Sequence, residues 1–332
     1  MSLDSYFFIV AQSHQLKPGK PLAVRLGERH LALFRDHTGA PQAVEDRCAH
    51  RNAPLSAGRV EDGCLRCPYH GWSYDGDGLC LGVPALEKAP QVRIPSFTCR
   101  ESQGFIWCCP GTPKHEPHHF PHLGDKGWST FVMESHFAAT EEACLENFLD
   151  CPHTVFVHGG WFRSRSAQRP VQARLSRDAS SAWVDFEEDA TASPSVISRL
   201  LFPRDKLEHR DRFLLPAISQ VDYRFSASRH YIISSLCTSH GKDGTRVWTV
   251  MTSRHPLGPF LRLFYEPLSR LVIRQDLDIL KLQADTIARF GGPRFTDCDA
   301  DLLGPHIRAL RQAAREGRSL EPIDGEKREI RF

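Results

Sequence analysis

Two short segments, Cys48-Ala49-His50-Arg51 and Cys67-Pro68-Tyr69-His70-Gly71-Trp72, restrict the folds open to this chain more than any other feature. Each offers one thiolate and one imidazole at close spacing, and 16 residues separate His50 from Cys67. Such a pair suits two tight loops converging on one metal centre. The flanking sequence reads as β-structure. Tyr6–Ala11, Leu22–Leu26 and His30–Arg35 are short β-rich runs, the last two joined by Gly27-Glu28-Arg29. Arg93–Cys99 and Gly104–Cys109 form another pair, with a polar turn expected at Glu101–Gln103. The eleven cysteines are an odd number, and Met1-Ser2-Leu3-Asp4-Ser5 lacks the basic region of a signal peptide. The thiols therefore read as metal ligands and packing groups, not as a disulfide framework, and the expected location is cytoplasmic.

A mixed set, with two cysteines on one iron and two histidines on the other, is the ligation of a Rieske [2Fe–2S] cluster. Zinc is the alternative, since Cys64-Leu65-Arg66-Cys67 is also a CxxC. The order C-x-H then C-x-x-H differs from the usual zinc-finger grammar. A second constellation follows at Asn147, Asp150, His153 and His158. At about 100° per residue, Asp150, His153 and His158 share an arc of about 140°. Two histidines with open positions left over suit a 2-His-1-carboxylate centre for non-haem Fe(II) and O₂. Pro152 breaks or kinks the helix just before His153. The plainer alternative has both histidines lining a helix end, satisfied by backbone carbonyls.

A third ligand has to come from far along the chain. In the helical pattern Val272–Phe290, with Ile273 placed at zero, Leu277, Leu280, Ala284 and Ile287 all lie within about 40° of it, and Val272 and Ile279 widen that apolar face. Asp276 falls inside the stripe, with Gln283 beside it, whereas Asp278 and Asp285 point towards solvent at about +140° and +120°. A carboxylate in an apolar face is costly unless it is paired or binds a metal. Asp276 is the choice, with an arginine partner from another element as the alternative.

CAHRNAPLSAGRV followed by CPYHGWSYDGDGLC resembles the Rieske domain of Rieske-type non-haem iron oxygenases. E-N-x-x-D-x-x-H-x4-H is similar to the mononuclear-iron motif of that family. Gln275–Gln283 resembles its late E-D-x-x-x-x-E/K-x-Q helix, with Gln275 in place of the first Glu. Glu141-Glu142 stands where a Trp-Lys pair often sits. The resemblance implies Cys48 and Cys67 on one cluster iron and His50 and His70 on the other. It also implies Fe(II) held by His153, His158 and Asp276, Asn147 near that iron, and Asp150 bridging to a neighbouring subunit's Rieske histidine in a head-to-tail homotrimer.

The same resemblance implies an α+β chain: an all-β Rieske domain at residues 1–112, a linker at 113–122, and a helix-grip catalytic domain with an antiparallel sheet at 123–332. The residues agree with this order. Pro110–Pro121, with His115, His118 and His119, is Pro/His-rich without periodicity. Ala217–Ser226, Arg229–Ser239 and Thr245–Ser253 read as an antiparallel meander, and Glu141–Asp150, Leu268–Phe290 and Leu302–Glu316 as helices. Lysine plus arginine (42) balances aspartate plus glutamate (40), so no nucleic-acid footprint exists. No apolar run approaches the roughly 20 residues of a membrane span. The absence of a GxGxxG fingerprint implies electrons delivered from NAD(P)H by a separate reductase or ferredoxin. The expected reaction is hydroxylation or oxidative demethylation of a mostly apolar small molecule, cyclic ones included. Aromatic cis-dihydroxylation, and a Rieske electron-transfer protein without a working second iron, are the alternatives.

Overall fold

The computed structural model describes residues 2–159, 170–188, 207–256 and 258–331. Trp161, Phe162 and Arg163, which follow the second motif, lie outside them. The chain forms two compact units: Ser2–His119 with Thr238–Lys242, and Phe120–Cys237 with Asp243–Phe332.

The N-terminal unit is built from β1 (Phe8–Gln12), β2 (Leu22–Leu26), β3 (Arg29–Arg35), β4 (Pro41–Glu45), β5 (Arg59–Glu61), β6 (Cys64–Arg66), β7 (Ser73–Tyr74), β8 (Cys80–Gly82), β9 (Ser96–Phe97), β10 (Cys99–Ser102) and β11 (Phe105–Cys108). These pair into sheets of order β1-β11-β10, β2-β3-β4-β9 and β5-β6-β7-β8. In β3, Leu31, Ala32, Leu33 and Phe34 are all fully buried, the mark of a strand covered on both faces. The turn expected at Glu101–Gln103 lies one step later. Cys99–Ser102 is strand, and Gln103 (φ 49°) and Gly104 (φ 80°) make the bend. A two-residue hairpin needs left-handed backbone at both central positions, which glycine supplies without strain.

The C-terminal unit runs β12 (Ser129–Phe137), α1 (Glu141–Phe148), α2 (His153–Phe156), β13 (Pro170–Arg177), β14 (Ser181–Glu188), β15 (Leu207–Leu214), β16 (Ile218–Ser226), β17 (Arg229–Ser239), β18 (Thr245–Arg254), α3 (Arg262–Arg289), α4 (Gly304–Arg315) and β19 (Ile323–Arg331). Its strands form one eight-stranded antiparallel sheet, order β12-β18-β17-β16-β15-β14-β13-β19. The expected meander is β16–β18.

Two helices set up the second motif. In α1, the Thr140 hydroxyl accepts from the Ala143 N–H at 3.2 Å, and Glu141 and Glu142 occupy the first turn, where the helix dipole favours negative charge. Both acids pair with Arg311 of α4, a side chain only 2% exposed that also donates to the Pro216 carbonyl. Arg315 adds a 2.8 Å contact to Glu142. The Glu141-Glu142 departure from the family pattern is thus an ion-paired brace. Helix α3 starts at Arg262, six residues before the expected Leu268, and continues through Pro267. Its Tyr265 and Ile273 pack against Phe131, Met133 and Tyr231 of the sheet. That packing turns Asp276 and Leu280 inward, while Ile279, expected on the apolar face, is 40% exposed.

Candidate metal centres

In the N-terminal unit the two Cys/His segments share one backbone design. The Asn52 N–H bonds the Cys48 carbonyl at 2.9 Å, and the Gly71 N–H bonds the Cys67 carbonyl at 3.1 Å. In each loop the residue four positions after the cysteine is left-handed, Asn52 at φ 58° and Gly71 at φ 72°. A Cβ on Gly71 would lie 2.8 Å from Pro84 Cγ. Only a residue without a side chain lets the second loop close under Pro84 unstrained.

Cys48 and Cys67 sit in the hydrophobic core with Phe34, Leu65, Tyr74 and Cys80. Burial pushes the Cys67 thiol up from its ordinary range. Two buried thiols beside each other are stable as thiolates only on a metal. The buried Tyr74 hydroxyl accepts from the Ala49 N–H at 3.2 Å and lies 3.4 Å from Cys48 Sγ. Burial raises the phenol's pKa, keeping it protonated as a donor to sulfur.

The histidines lie at the other end. His70 is exposed, and the His50 and His70 rings are 4.6 Å apart. His50 stacks on Trp72 at 4.9 Å, and its buried Nδ1 has no hydrogen-bond partner. Desolvation, with the neighbouring His70 and Arg51, holds His50 below the usual histidine range, in its neutral, metal-binding form. Thiols in the core, imidazoles at the rim and an orphaned ring nitrogen fit a cluster with two thiolate and two imidazole ligands. Cys64 is half-buried, and its Sγ donates to the Asp62 carbonyl at 3.8 Å.

In the C-terminal unit His153, His158 and Asp276 converge from α2, the turn after it, and α3. His153 Nε2 to His158 Nε2 is 3.2 Å, His158 Nε2 to Asp276 Oδ1 is 3.2 Å, and His153 Nε2 to Asp276 Oδ1 is 3.6 Å. The outer nitrogens are occupied: His153 Nδ1 donates to the Asp150 carbonyl, and His158 Nδ1 donates to Gln275 Oε1 at 2.9 Å. In neutral imidazoles both Nε2 atoms are then bare acceptors. They face a buried carboxylate oxygen that has no hydrogen bond. Three acceptors meeting without a donor need a cation or a proton: burial pulls His153 down, but Asp276 and Asp150 outweigh it and raise its pKa, so the metal-free site takes up a proton there. Ligand atoms about 2.1 Å from one ion, at angles near 90–110°, are about 3.0–3.4 Å apart, so two of the three pairs match a 2-His-1-carboxylate site and the 3.6 Å His153–Asp276 pair is slightly wide of it. Among the described residues Asp276 has these histidines, not an arginine, as its charged neighbours. Burial pushes its carboxyl up, but in the metal-free site donation and positive charge from the two histidines outweigh that and hold it below the usual range, the part a bound cation would take over.

Asp150 is 42% exposed at its side chain, with Oδ2 4.0 Å from His153 Nδ1. The protein packed around it pushes its carboxyl up to about 6, against the opposing pull of His153. Asn147 lies on α1, and its buried Oδ1 has no partner.

A further buried cluster was not read from the sequence. The Asp211 carboxylate accepts from Cys151 Sγ at 3.0 Å and His209 Nε2 at 2.9 Å, and so ties the loop before His153 to β15. His209 stacks between Phe186 and Tyr223, its register partners on β14 and β16. The signal was available: His209, Asp211 and Phe213 alternate along one buried face.

The Rieske [2Fe-2S] domain family matches residues 6–98. The chain is 37% identical to chlorophyllide a oxygenase of Oryza sativa subsp. japonica, covering 95% of this chain and 58% of that protein. It is 33% identical to 4beta-methylsterol monooxygenase of Methylococcus capsulatus, covering 57% and 53%. The chain thus spans little more than half the length of these relatives. The structure of Pseudomonas putida CBB5 NdmA with caffeine shares the fold at a TM-score of 0.80 and 22% identity, covering 98% of both chains. Dicamba monooxygenase bound to dicamba follows at 0.78 and 19%, covering 95% of this chain and 98% of that one.

Proposed function

For a chain that belongs to the Rieske non-haem iron oxygenase family, we propose the role of a terminal oxygenase component acting on a mostly apolar small molecule. The observation that carries this reading is the convergence of two imidazole nitrogens and one carboxylate oxygen, all acceptors, in the same chain as a Rieske domain. A pure electron carrier has no use for the second set.

Bound at these residues, the cluster supplies electrons one at a time and Fe(II) supplies the activation of O₂. The chain's own groups do the rest. Cys48, Cys67, His50 and His70 hold the cluster, and the Tyr74 hydroxyl directs a hydrogen bond at Cys48 Sγ. His153, His158 and Asp276 would hold the iron. The buried Asn147 amide oxygen, near the end of α1, is an acceptor without a hydrogen-bond partner. Asp150, joined to the iron ligand His153 through its own carbonyl, is the bridge to the Rieske histidine of the next subunit in a homotrimeric ring. The Rieske domain is assigned to residues 1–112, the linker to 113–122 and the catalytic domain to 123–332. The electron source is NAD(P)H through a separate reductase or ferredoxin.

Hydroxylation or oxidative demethylation is favoured over cis-dihydroxylation. Similar proteins include a sterol monooxygenase and, at 36% identity over 46% of this chain, methylxanthine N1-demethylase NdmA of Pseudomonas putida. The first test is anaerobic iron and sulfide analysis of reconstituted protein, with reduced-state EPR. Three irons to two sulfides, with a Rieske signal, is the expected result; two to two in fully loaded protein refutes the oxygenase reading. Turnover under ¹⁸O₂ then separates the reactions, because only dihydroxylation places both atoms in the product.

A further inference from the structure

His158 is gripped at both ring nitrogens by consecutive residues of α3. Asp276 Oδ1 lies 3.2 Å from Nε2, and Gln275 Oε1 accepts from Nδ1–H at 2.9 Å. Neighbours on a helix point about 100° apart, so one imidazole fills the angle between the two side chains. His153 is held from behind by a backbone carbonyl, also neutral. Neither imidazole therefore has a carboxylate on its outer nitrogen among the bonds described, and Asp276 is the charged member of the ligand set. The nearest other acid, Asp150, approaches His153 Nδ1 only to 4.0 Å.

We propose that Gln275 is a positioning residue for the metal: its amide oxygen fixes the tautomer and aim of His158, and its neutrality keeps the site one negative charge short of balancing a divalent ion. The inference rests on reading His153, His158 and Asp276 as the metal site. Outer partners of ligating histidines set ring orientation and basicity, and their loss typically costs about 10–100-fold in metal affinity. Two substitutions separate the two halves of the claim. Gln275→Leu removes the acceptor and leaves Nδ1–H unpaired. Gln275→Glu keeps an acceptor at the same reach and adds the missing charge.

The experiment is equilibrium dialysis against Co(II) of protein stripped at the mononuclear site but retaining its cluster, with bound cobalt counted per chain. An unaltered Rieske EPR signal shows that the cluster is intact, and an unaltered thermal melt followed by circular dichroism shows the same of the fold around position 275 in each variant. The expected order is Gln275→Glu tighter than wild type, and Gln275→Leu weaker than wild type by about 10–100-fold. Wild-type affinity in Gln275→Leu, or equal weakness in both variants, overturns the role of Gln275 while leaving the triad standing. No cobalt bound by wild type, or undiminished binding in His158→Ala, refutes the metal site itself.

Discussion

Replacing Asp276 by asparagine keeps the side chain's shape and removes its charge, which makes it a sharp test of what the buried trio is for. Asp276 is 4% exposed, and its Oδ1 faces two ring nitrogens without a hydrogen bond. If the trio binds a metal, a divalent ion stabilises the folded chain in proportion to its affinity. At a free ion concentration 100 times Kd the gain is about 2.7 kcal/mol. For an unfolding unit of 150–250 residues, that corresponds to a rise in Tm of about 5–11 °C. Losing a direct ligand weakens binding at least as much as losing an outer partner, so a 100-fold drop is a conservative figure. At the same ion concentration the gain then shrinks to about 0.4 kcal/mol, or about 1–2 °C. The assay is anaerobic scanning calorimetry of wild type and Asp276→Asn, each with chelator and with Co(II). What is compared is the metal-induced increment within each protein, so any change in the metal-free baseline cancels. An equal increment in the two proteins, or none in wild type, refutes the argument. A lower metal-free Tm in the variant with no increment in either would mark Asp276 as the partner of protonated histidines instead.

Arg311→Met should lower Tm by about 6–20 °C, because removing one member of a buried ion pair costs about 3–5 kcal/mol and leaves Glu141 without this partner and Glu142 with Arg315 alone. Adding Glu141→Gln and Glu142→Gln should recover part of that loss in the same melt. Gly71→Ala forces a side chain into left-handed backbone, at about 1–2 kcal/mol, and against Pro84. Gly104→Ala shares the backbone strain at φ 80° but meets nothing within 4 Å. Acid-labile sulfide retained per chain should therefore fall in Gly71→Ala and hold in Gly104→Ala; equal retention would show that the Pro84 contact is unimportant.

The Rieske domain was legible because all four proposed donors lie in two short segments whose spacing survives any folding context. The meander was legible for a related reason, since β16–β18 are three long β-rich runs separated by the short turns at Ala227-Ser228 and Gly241–Gly244. Strand β15 was hidden by its own chemistry. Its buried face carries His209 and Asp211, so the period-2 signal is polar where hydrophobic residues are sought. Strand β19 is an edge strand of mostly charged residues, a composition that discourages stray pairing and masks the strand. For Asp276 the helical-face argument worked because a lone acid in an apolar stripe is conspicuous, and the residue is indeed buried. The outer shell was not legible. That Gln275 reaches His158, that Asp211 reaches Cys151 and that Arg311 is enclosed by two acids depend on side chains brought together across more than 50 residues of chain.

The two ligand sets also differ in when they can exist during synthesis. The four proposed cluster donors lie within 23 consecutive residues, whereas the proposed triad spans 124, from His153 to Asp276. On a ribosome adding about 5–20 residues per second, 206 residues and about 10–40 s separate the emergence of His70 from that of Asp276. On the proposed assignment, iron–sulfur delivery can therefore meet a nascent chain, while the single iron has to wait until Asp276 has emerged. Starving a cell of iron late in translation would yield molecules that are coloured and correctly clustered but lack the second metal, and these could be completed afterwards by Fe(II) alone.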